Sequence, residues 1–251
     1  SLQNLLSEEG LLTNHIGKIK NVVNELTNHA KQNNYVLLCT CHVTKDGEIA
    51  GPKAIEHIVD VVLYIDGEPD ESLRIIRSTK NRFGSTHEAG FFTLNEKGIE
   101  ECKDPQSLMI NHAKPSVGAA LTWYREGSRT FLIEIQTLIN KSRLPTPQRI
   151  IQGIEQKQLI LMCAVLEKYL KIPLYEFDLF CKVSGNVKLR GVHSDCALAL
   201  SLISSYYNIP VNDIIVFSGE IGLSGDIIAV NDSFLSHNSL FDRYSVKKIV
   251  T

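Results

Sequence analysis

Apolar side chains between residues 14 and 33 recur at the spacing of a single helical face. The members of this stripe are Ile16, Ile19, Val22, Val23, Leu26 and Ala30. Such spacing predicts an amphipathic helix with one buried side. Asn33 and Asn34 end the pattern, and the continuous apolar run of residues 35–40 follows directly. An uninterrupted run of this kind predicts a strand covered on both faces in a parallel sheet.

The next segments predict a small antiparallel sheet. Residues 42–53 contain two glycines, a proline and several charges, which is typical of a loop. A helix-like stretch at 52–58 leads into a strand at 59–65, and residues 72–78 and 88–94 are predicted to pair antiparallel. We therefore expect the first ~95 residues to form part of an α/β sandwich.

A second unit is predicted after a linker. We place the first unit at residues 1–98, the linker at 99–114 and an α+β unit at 115–251. The second unit has a hairpin of strands at 117–124 and 130–136, helices at 155–170 and 195–207, and strands at 177–184 and 214–217. A turn-rich connection at 219–226 and a last helix at 233–244 complete it.

Composition limits the class of protein. Apolar residues make up 43% and charged residues 22% of the chain, and the net charge is −2. A protein that grips DNA with its whole surface is normally basic, so only local basic loops remain as DNA contacts. We predict neither a membrane helix nor a signal peptide. The six cysteines show no zinc-ligand spacing and suit a reduced, cytoplasmic protein.

Three stretches carry a resemblance to a known family. Residues 42–53 have the form HVTKDG-x-IAGPK, and residues 80–84 are KNRFG. Together they resemble the RadA (Sms) family of bacterial recombination proteins. Residues 219–225, GEIGLSG, resemble part of the family's Lon-protease-like domain. The resemblance implies the end of a RecA-like ATPase domain followed by a Lon-like α+β domain of the ribosomal S5 domain 2 type.

The resemblance also implies an activity. Such a protein would be a DNA-dependent ATPase and ring helicase that promotes branch migration, acting as a homohexamer on single-stranded or branched DNA with a RecA-type recombinase. It would use ATP and Mg²⁺, yet the chain contains no P-loop sequence. We expect the P-loop, the Walker B aspartate and a four-cysteine zinc motif to lie upstream of Ser1. The alternative is a non-catalytic DNA-binding or oligomerisation module.

Lys80 and Arg82 are the leading candidate catalytic residues. They lie two positions apart after a predicted strand, so both cations would point the same way. A fork of this kind suits phosphate, and the resemblance implies that the pair acts in trans at the nucleotide of a neighbouring subunit. Asn81, Phe83 and Gly84 complete the motif, with Gly84 allowing a turn. An ordinary solvated turn is the alternative.

Three further residues come from the same resemblance. His42 lies at the end of a predicted strand, where it would sense the nucleotide. The alternative is that it only caps the strand through hydrogen bonds. Lys45 and Lys53 flank a loop that could follow the phosphates of DNA without reading bases, or could be a plain surface loop.

Peptidase chemistry is not expected in the second unit. A Ser–Lys dyad needs a nearby lysine base, and no lysine occurs between Lys188 and Lys247. The resemblance places the position of the Lon serine near His193, with Ser194 adjacent and Asp195 next in the chain. These three neighbours cannot form a triad within one turn, and we expect Ser194 and Asp195 to cap the following helix. A Lon-type peptidase is therefore the least favoured function.

Overall fold

The computed structural model describes residues 15–41, 55–67, 72–110, 115–211, 214–231, 246 and 248–250. The chain divides into two compact units, Ser1–Glu101 and Cys102–Thr251. The predicted loop at 42–53 and the predicted helix at 233–244 lie outside the described residues. Within the described ranges, no helix is long and apolar enough to cross a membrane.

The described part of the first unit starts with the predicted amphipathic helix. Helix α1 spans His15–Gln32, and its apolar side packs into a small core in which Val23 and Ile55 are buried. The helix ends as predicted, because Asn34 adopts a left-handed backbone conformation with φ of 54°. The amide of Asn33 still donates to the carbonyl of His29, at 3.1 Å.

The strand predicted at residues 35–40 is wrong for the described part of the chain. These residues have no ladder partner there, and Val36 and Leu38 are 95% and 85% exposed. Cys39, in contrast, packs against the Val23 and Ile55 core. The alternation of exposed and packed side chains indicates an extended segment with only one face covered. A central strand of a parallel sheet needs a neighbouring strand along each edge and a layer of structure on each face.

Among the described residues of the first unit, four strands form an antiparallel sheet. They are β1 (Val61–Asp66), β2 (Leu73–Asn81), β3 (Ala89–Asn95) and β4 (Gly98–Glu101), in that spatial order. The pairing of β2 with β3 confirms the predicted antiparallel edge. Strand β4 lies at the start of the segment predicted as a linker. Tyr64 of β1 donates a hydrogen bond to the carboxylate of Glu56, at 2.6 Å, which ties the sheet to the preceding turn.

The second unit contains a mixed sheet of six strands among its described residues. Their spatial order is β12 (Lys248–Val250), β9 (Ile215–Phe217), β5 (Ala119–Glu126), β6 (Arg129–Lys141), β8 (Phe177–Val183) and β7 (Arg149–Gln152). The hairpin β5–β6 is antiparallel, as predicted, and turns through Gly127 with φ of 63°. A separate short hairpin pairs β10 (Glu220–Ile221) with β11 (Ile227–Ile228).

The described part of the second unit contains two long helices with buried apolar side chains. Helix α3 spans Gln156–Leu170 and helix α4 spans Asp195–Tyr207, both close to the predicted bounds. Helix α4 packs against β5 and β6. The side chains that become fully buried include Leu132, Ile133, Ile135, Leu159, Leu179, Leu198 and Leu202. Burial on this scale supplies the main driving force for folding.

A helical turn in the predicted linker belongs to the second unit. Helix α2 spans Gln106–Met109, and the side-chain amide of Gln106 exchanges two hydrogen bonds with the backbone of Leu132, at 2.8 and 2.9 Å. The hydroxyl of Ser184 accepts from the amide of Glu134, at 2.8 Å. The pairing of β6 with β8 begins only at Ile135. These side chains therefore satisfy the edge of β6 where no strand pairs with it.

Candidate functional site

Lys80 reaches the helical turn that precedes β1. Its ammonium donates to the carbonyl oxygens of Glu56 and His57, at 2.7 and 3.2 Å. Within this turn the amides of Ile58 and Val59 both donate to the carbonyl of Ile55. Carbonyls at the end of a helical turn carry partial negative charge, so an ammonium is a favourable partner for them.

Arg82 reaches the end of the same turn. Its guanidinium Nη1 donates to Oδ1 of Asp60 at 2.8 Å, and its backbone amide donates to the carbonyl of Asp60 at 3.1 Å. The ammonium of Lys31 lies 3.6 Å from the same carboxylate oxygen. The Arg82 side chain remains 53% exposed and that of Asp60 25% exposed. An ion pair this exposed contributes little to stability.

The rest of the KNRFG motif forms a tight turn. The amide of Phe83 donates to the side-chain oxygen of Asn81 at 3.0 Å, and the Asn81 amide group donates to the carbonyl of Ser85 at 3.3 Å. Asn81 therefore fixes the turn through its side chain. Phe83 projects from it, 81% exposed. Gly84 does not adopt a positive φ, so this turn does not depend on a left-handed glycine.

The structure brings the two predicted cations together on residues 55–60. We name this group, Lys80 and Arg82 with their partners Glu56, His57 and Asp60, the cation turn. The pairing register of β1 with β2 shifts by one residue at Thr79, immediately before Lys80, and such irregularities re-aim the side chains that follow. His42, Lys45 and Lys53 lie outside the described residues, so their roles remain predictions.

The second unit has a different arrangement at the position expected for the Lon serine. The His193 ring stacks on Trp123 with ring centroids 4.0 Å apart, and its Nε2 lies 3.2 Å from the carbonyl of Trp123. The Trp123 indole donates to the hydroxyl of Ser218 at 2.9 Å. Ser194 is fully buried. A buried hydroxyl beside a stacked imidazole does not offer the accessible nucleophile of a peptidase.

Asp195 is the centre of a buried polar cluster. Its carboxylate accepts from the side-chain amide of Gln158 at 2.6 Å and from the backbone amide of Ile221 at 3.2 Å. Burial raises the pKa of the Asp195 carboxyl above its usual value, and these two hydrogen bonds and the nearby His193 oppose that rise. The cluster joins helix α3, helix α4 and strand β10.

The predicted capping role of Ser194 is wrong. Residues 192–194 already form a 3₁₀ turn, so Ser194 has helical dihedral angles and makes no side-chain cap bond. A capping residue needs extended dihedral angles instead. The hydroxyl of Ser194 accepts from Gln158, at 3.3 Å. Asp195 does lie in the first turn of α4, where a carboxylate is favourable.

Sequence reasoning missed three residues of these sites. Asp60 falls within the predicted strand at 59–65, and nothing in the local sequence indicates that it faces Arg82. Trp123 is the single tryptophan of the chain, and a lone tryptophan in an apolar strand suggests core packing. Gln158 stands at a helix start without any motif. Each contact joins residues more than 20 positions apart in the chain.

Three of the four cysteines of the second unit, Cys163, Cys181 and Cys196, are buried. Burial raises the pKa of the Cys163 thiol to about 11 and that of Cys181 to about 12. Thiols with such pKa values are poor nucleophiles and poor metal ligands at neutral pH. The described residues include no group of three His, Cys, Asp or Glu side chains placed to hold a metal ion.

Comparison with known proteins gives a consistent result. No family profile matches the chain. DNA repair protein RadA of Helicobacter pylori strain 26695 is 38% identical over 229 residues, which is 91% of this chain and 51% of that protein. RadA of Rickettsia bellii is 41% identical over 84% of this chain and 48% of its own length. RadA of Pseudomonas aeruginosa PAO1 is 39% identical over 84% of this chain and 47% of its own length.

These findings define the class of protein first. The chain is an α/β protein that consists of part of a RecA-like domain followed by a Lon-protease-like domain. It spans about half the length of the curated relatives it matches. The chain belongs to the RadA family of DNA repair proteins, of which it represents a carboxy-terminal part.

Proposed function

We propose that the protein containing this chain is a DNA-dependent ATPase of recombinational repair. It works as a homohexameric ring helicase that promotes branch migration on single-stranded or branched DNA, together with a RecA-type recombinase. Lys80 and Arg82 act in trans at the nucleotide of the neighbouring subunit. Membership in a family of DNA repair proteins supports the general role.

The single observation that carries the catalytic part is the convergence of Lys80 and Arg82. Both cations reach residues 55–60, and the Arg82 side chain stays half exposed while its Nη1 donates to Asp60. A guanidinium has five N–H donors. Arg82 can therefore keep its contact with Asp60 and still donate to the oxygens of a phosphate group.

The chemistry suits a group that stabilises charge. During phosphoryl transfer, negative charge spreads over the equatorial oxygens, and an arginine supplied by a neighbour is worth about 10³–10⁵ in rate. Arg82 would donate in a planar fork, and Lys80 would add a point charge. The phosphate cradle and the Mg²⁺ ligands are expected in the segment that carries the P-loop.

Hydrolysis by the full-length protein tests this role. ATP turnover with and without single-stranded DNA is compared between wild type and a Lys80→Ala, Arg82→Ala double variant, with nucleotide binding measured in parallel. We expect hydrolysis to fall at least about 10³-fold while binding stays within about threefold. Arg77→Ala is the matched control, because Arg77 lies on β2, the strand that carries Lys80, and pairs with Asp66.

Unchanged hydrolysis in the double variant would contradict the catalytic role. KNRFG would then be a DNA contact or a structural turn, and the non-catalytic DNA-binding or oligomerisation module would be favoured. An equal loss in Arg77→Ala would likewise show that any charge removed from β2 disrupts the protein.

The Lon-like unit is assigned a non-catalytic role within this proposal. Its Ser194 is fully buried, and no lysine lies between Lys188 and Lys247. We expect casein hydrolysis at background level, unchanged by Ser194→Ala. Casein hydrolysis that disappears in this variant would restore the peptidase hypothesis.

A further inference from the structure

Asp60 is the residue around which the cation turn is organised. One carboxylate oxygen accepts from Arg82 at 2.8 Å and lies 3.6 Å from the ammonium of Lys31. The carbonyl of Asp60 accepts from the Arg82 amide at 3.1 Å. The side chain of Asp60 thus binds the side chain of Arg82, and the backbone of Asp60 accepts a hydrogen bond from the backbone of Arg82.

The strand register makes this contact part of the fold. Val61, the first residue of β1, pairs with Asn81, the last residue of β2. In an antiparallel pair, the residue before the first partner faces the residue after the last, which places Asp60 beside Arg82. Asp60 also immediately precedes the strand, after a turn whose Ile55 is buried. The backbone on both sides of the contact is therefore fixed.

The exposure of the pair indicates what the contact does. A partly exposed ion pair adds little to folding stability, yet it restricts the rotamers of a long side chain that otherwise samples many. Lys31 offsets part of the carboxylate charge. The carboxylate would then repel an approaching phosphate less strongly than an isolated one.

We propose that Asp60 is a positioning residue that orients Arg82 toward the nucleotide of the neighbouring subunit. This inference rests on the proposed function. Asp60 holds the guanidinium through Nη1, and the remaining donors meet the phosphate oxygens. Preorganising a donor in this way removes the cost of ordering it in the transition state.

The test uses ATP hydrolysis by the full-length protein with single-stranded DNA. Asp60→Ala is expected to lower kcat about 10-fold, within the ~100-fold that misplacing a reacting group can cost, and to leave KM for ATP within twofold. Asp60→Asn keeps the acceptor oxygen, so it should recover most of kcat. Asp66→Ala is the matched control, because Asp66 pairs with Arg77 on the same sheet, and its kcat should stay at the wild-type value.

A double-mutant cycle separates positioning from a general structural effect. If Asp60 acts through Arg82, Asp60→Ala should cause no further loss in an Arg82→Ala background. Additive losses, or a wild-type kcat in Asp60→Ala, would overturn the inference. If Arg82→Ala alone leaves hydrolysis unchanged, the proposed function fails first. A large loss in Arg82→Ala with none in Asp60→Ala would refute only the role of Asp60.

Discussion

The two units treat their polar clusters in opposite ways. In the Lon-like unit, Asp195 is buried and its carboxylate is satisfied by Gln158 and the backbone of Ile221. In the RecA-like unit, the side chain of Arg82 is half exposed, and its Nη1 donates a hydrogen bond to Asp60. The first cluster joins elements of a core, whereas the second presents cations at the end of a strand.

This difference shows why sequence proximity alone misjudges a site. His193, Ser194 and Asp195 are three consecutive chemistry-bearing residues, yet the structure uses them for packing and internal hydrogen bonds. Lys80 and Arg82 have less varied chemistry, but solvent reaches Arg82. Buried polar groups that are fully satisfied specify a core, and exposed donors remain available for a ligand.

The largest expected effect concerns the cores. Leu198→Ala removes a fully buried side chain of the Lon-like unit and should lower its free energy of unfolding by about 2–5 kcal/mol. Trp123, the single tryptophan, lies in that unit and reports its urea transition by fluorescence. The matched change Leu38→Ala replaces an exposed side chain of the RecA-like unit. It should lower the free energy of unfolding of that unit by no more than about 0.5 kcal/mol, as measured by amide hydrogen exchange. Equal losses would remove the contrast between the units.

A smaller effect is expected at the buried carboxylate. Asp195→Ala leaves the Gln158 amide and the Ile221 N–H without this acceptor, which should cost about 1–3 kcal/mol. The same fluorescence-monitored urea transition measures it. A loss below about 0.5 kcal/mol would mean that water satisfies the cluster and that it does not specify the core.

The same residue gives a pH dependence with a defined sign. Because the pKa of the folded Asp195 is raised above 3.8, the folded state binds the proton more tightly than the unfolded state. The associated stability is fully present below the unfolded pKa and is lost as pH rises through the folded pKa. Asp195→Asn should remove this part of the profile, and an unchanged difference between wild type and variant across that range would contradict the raised pKa.

The smallest effect is expected at Ser218. Ser218→Ala removes the acceptor of the Trp123 indole N–H and should cost about 1 kcal/mol. The emission maximum of Trp123 should shift as well, since the indole loses a fixed polar partner. An unshifted spectrum would show that the hydrogen bond does not hold the Trp123 and His193 stack.

Much of the fold could be predicted from periodicity. Helix α1, helix α4 and strand β5 lie within two residues of their predicted bounds, because each has a clear pattern and a clear end signal. Strand β6 starts one residue before its predicted start but extends five residues beyond its predicted end. The prediction of a buried strand at 35–40 is wrong because an apolar composition shows only that burial would be favourable. Whether these side chains are buried depends on which other segments pack against them. Strand β7 was missed because four residues after two prolines carry too little pattern.

The candidate site could be predicted only in part. Lys80 and Arg82 were identified from the KNRFG sequence, and the structure brings both to residues 55–60. Asp60 could not be found, because its contact depends on the register of β1 with β2. The capping role predicted for Ser194 is wrong because a 3₁₀ turn precedes the helix. The sequence does not show whether the residues before a helix form such a turn or an extended segment.

The most direct test of action in trans is a subunit-mixing measurement with the full-length protein. One variant carries Arg82→Ala with an intact P-loop, and the other has a substituted P-loop lysine with Arg82 intact. Each alone should be inactive, whereas a 1:1 mixture should regain DNA-stimulated ATP hydrolysis at about a quarter of its interfaces, where an intact P-loop faces an intact Arg82. A mixture that stays inactive although the subunits exchange would contradict action in trans.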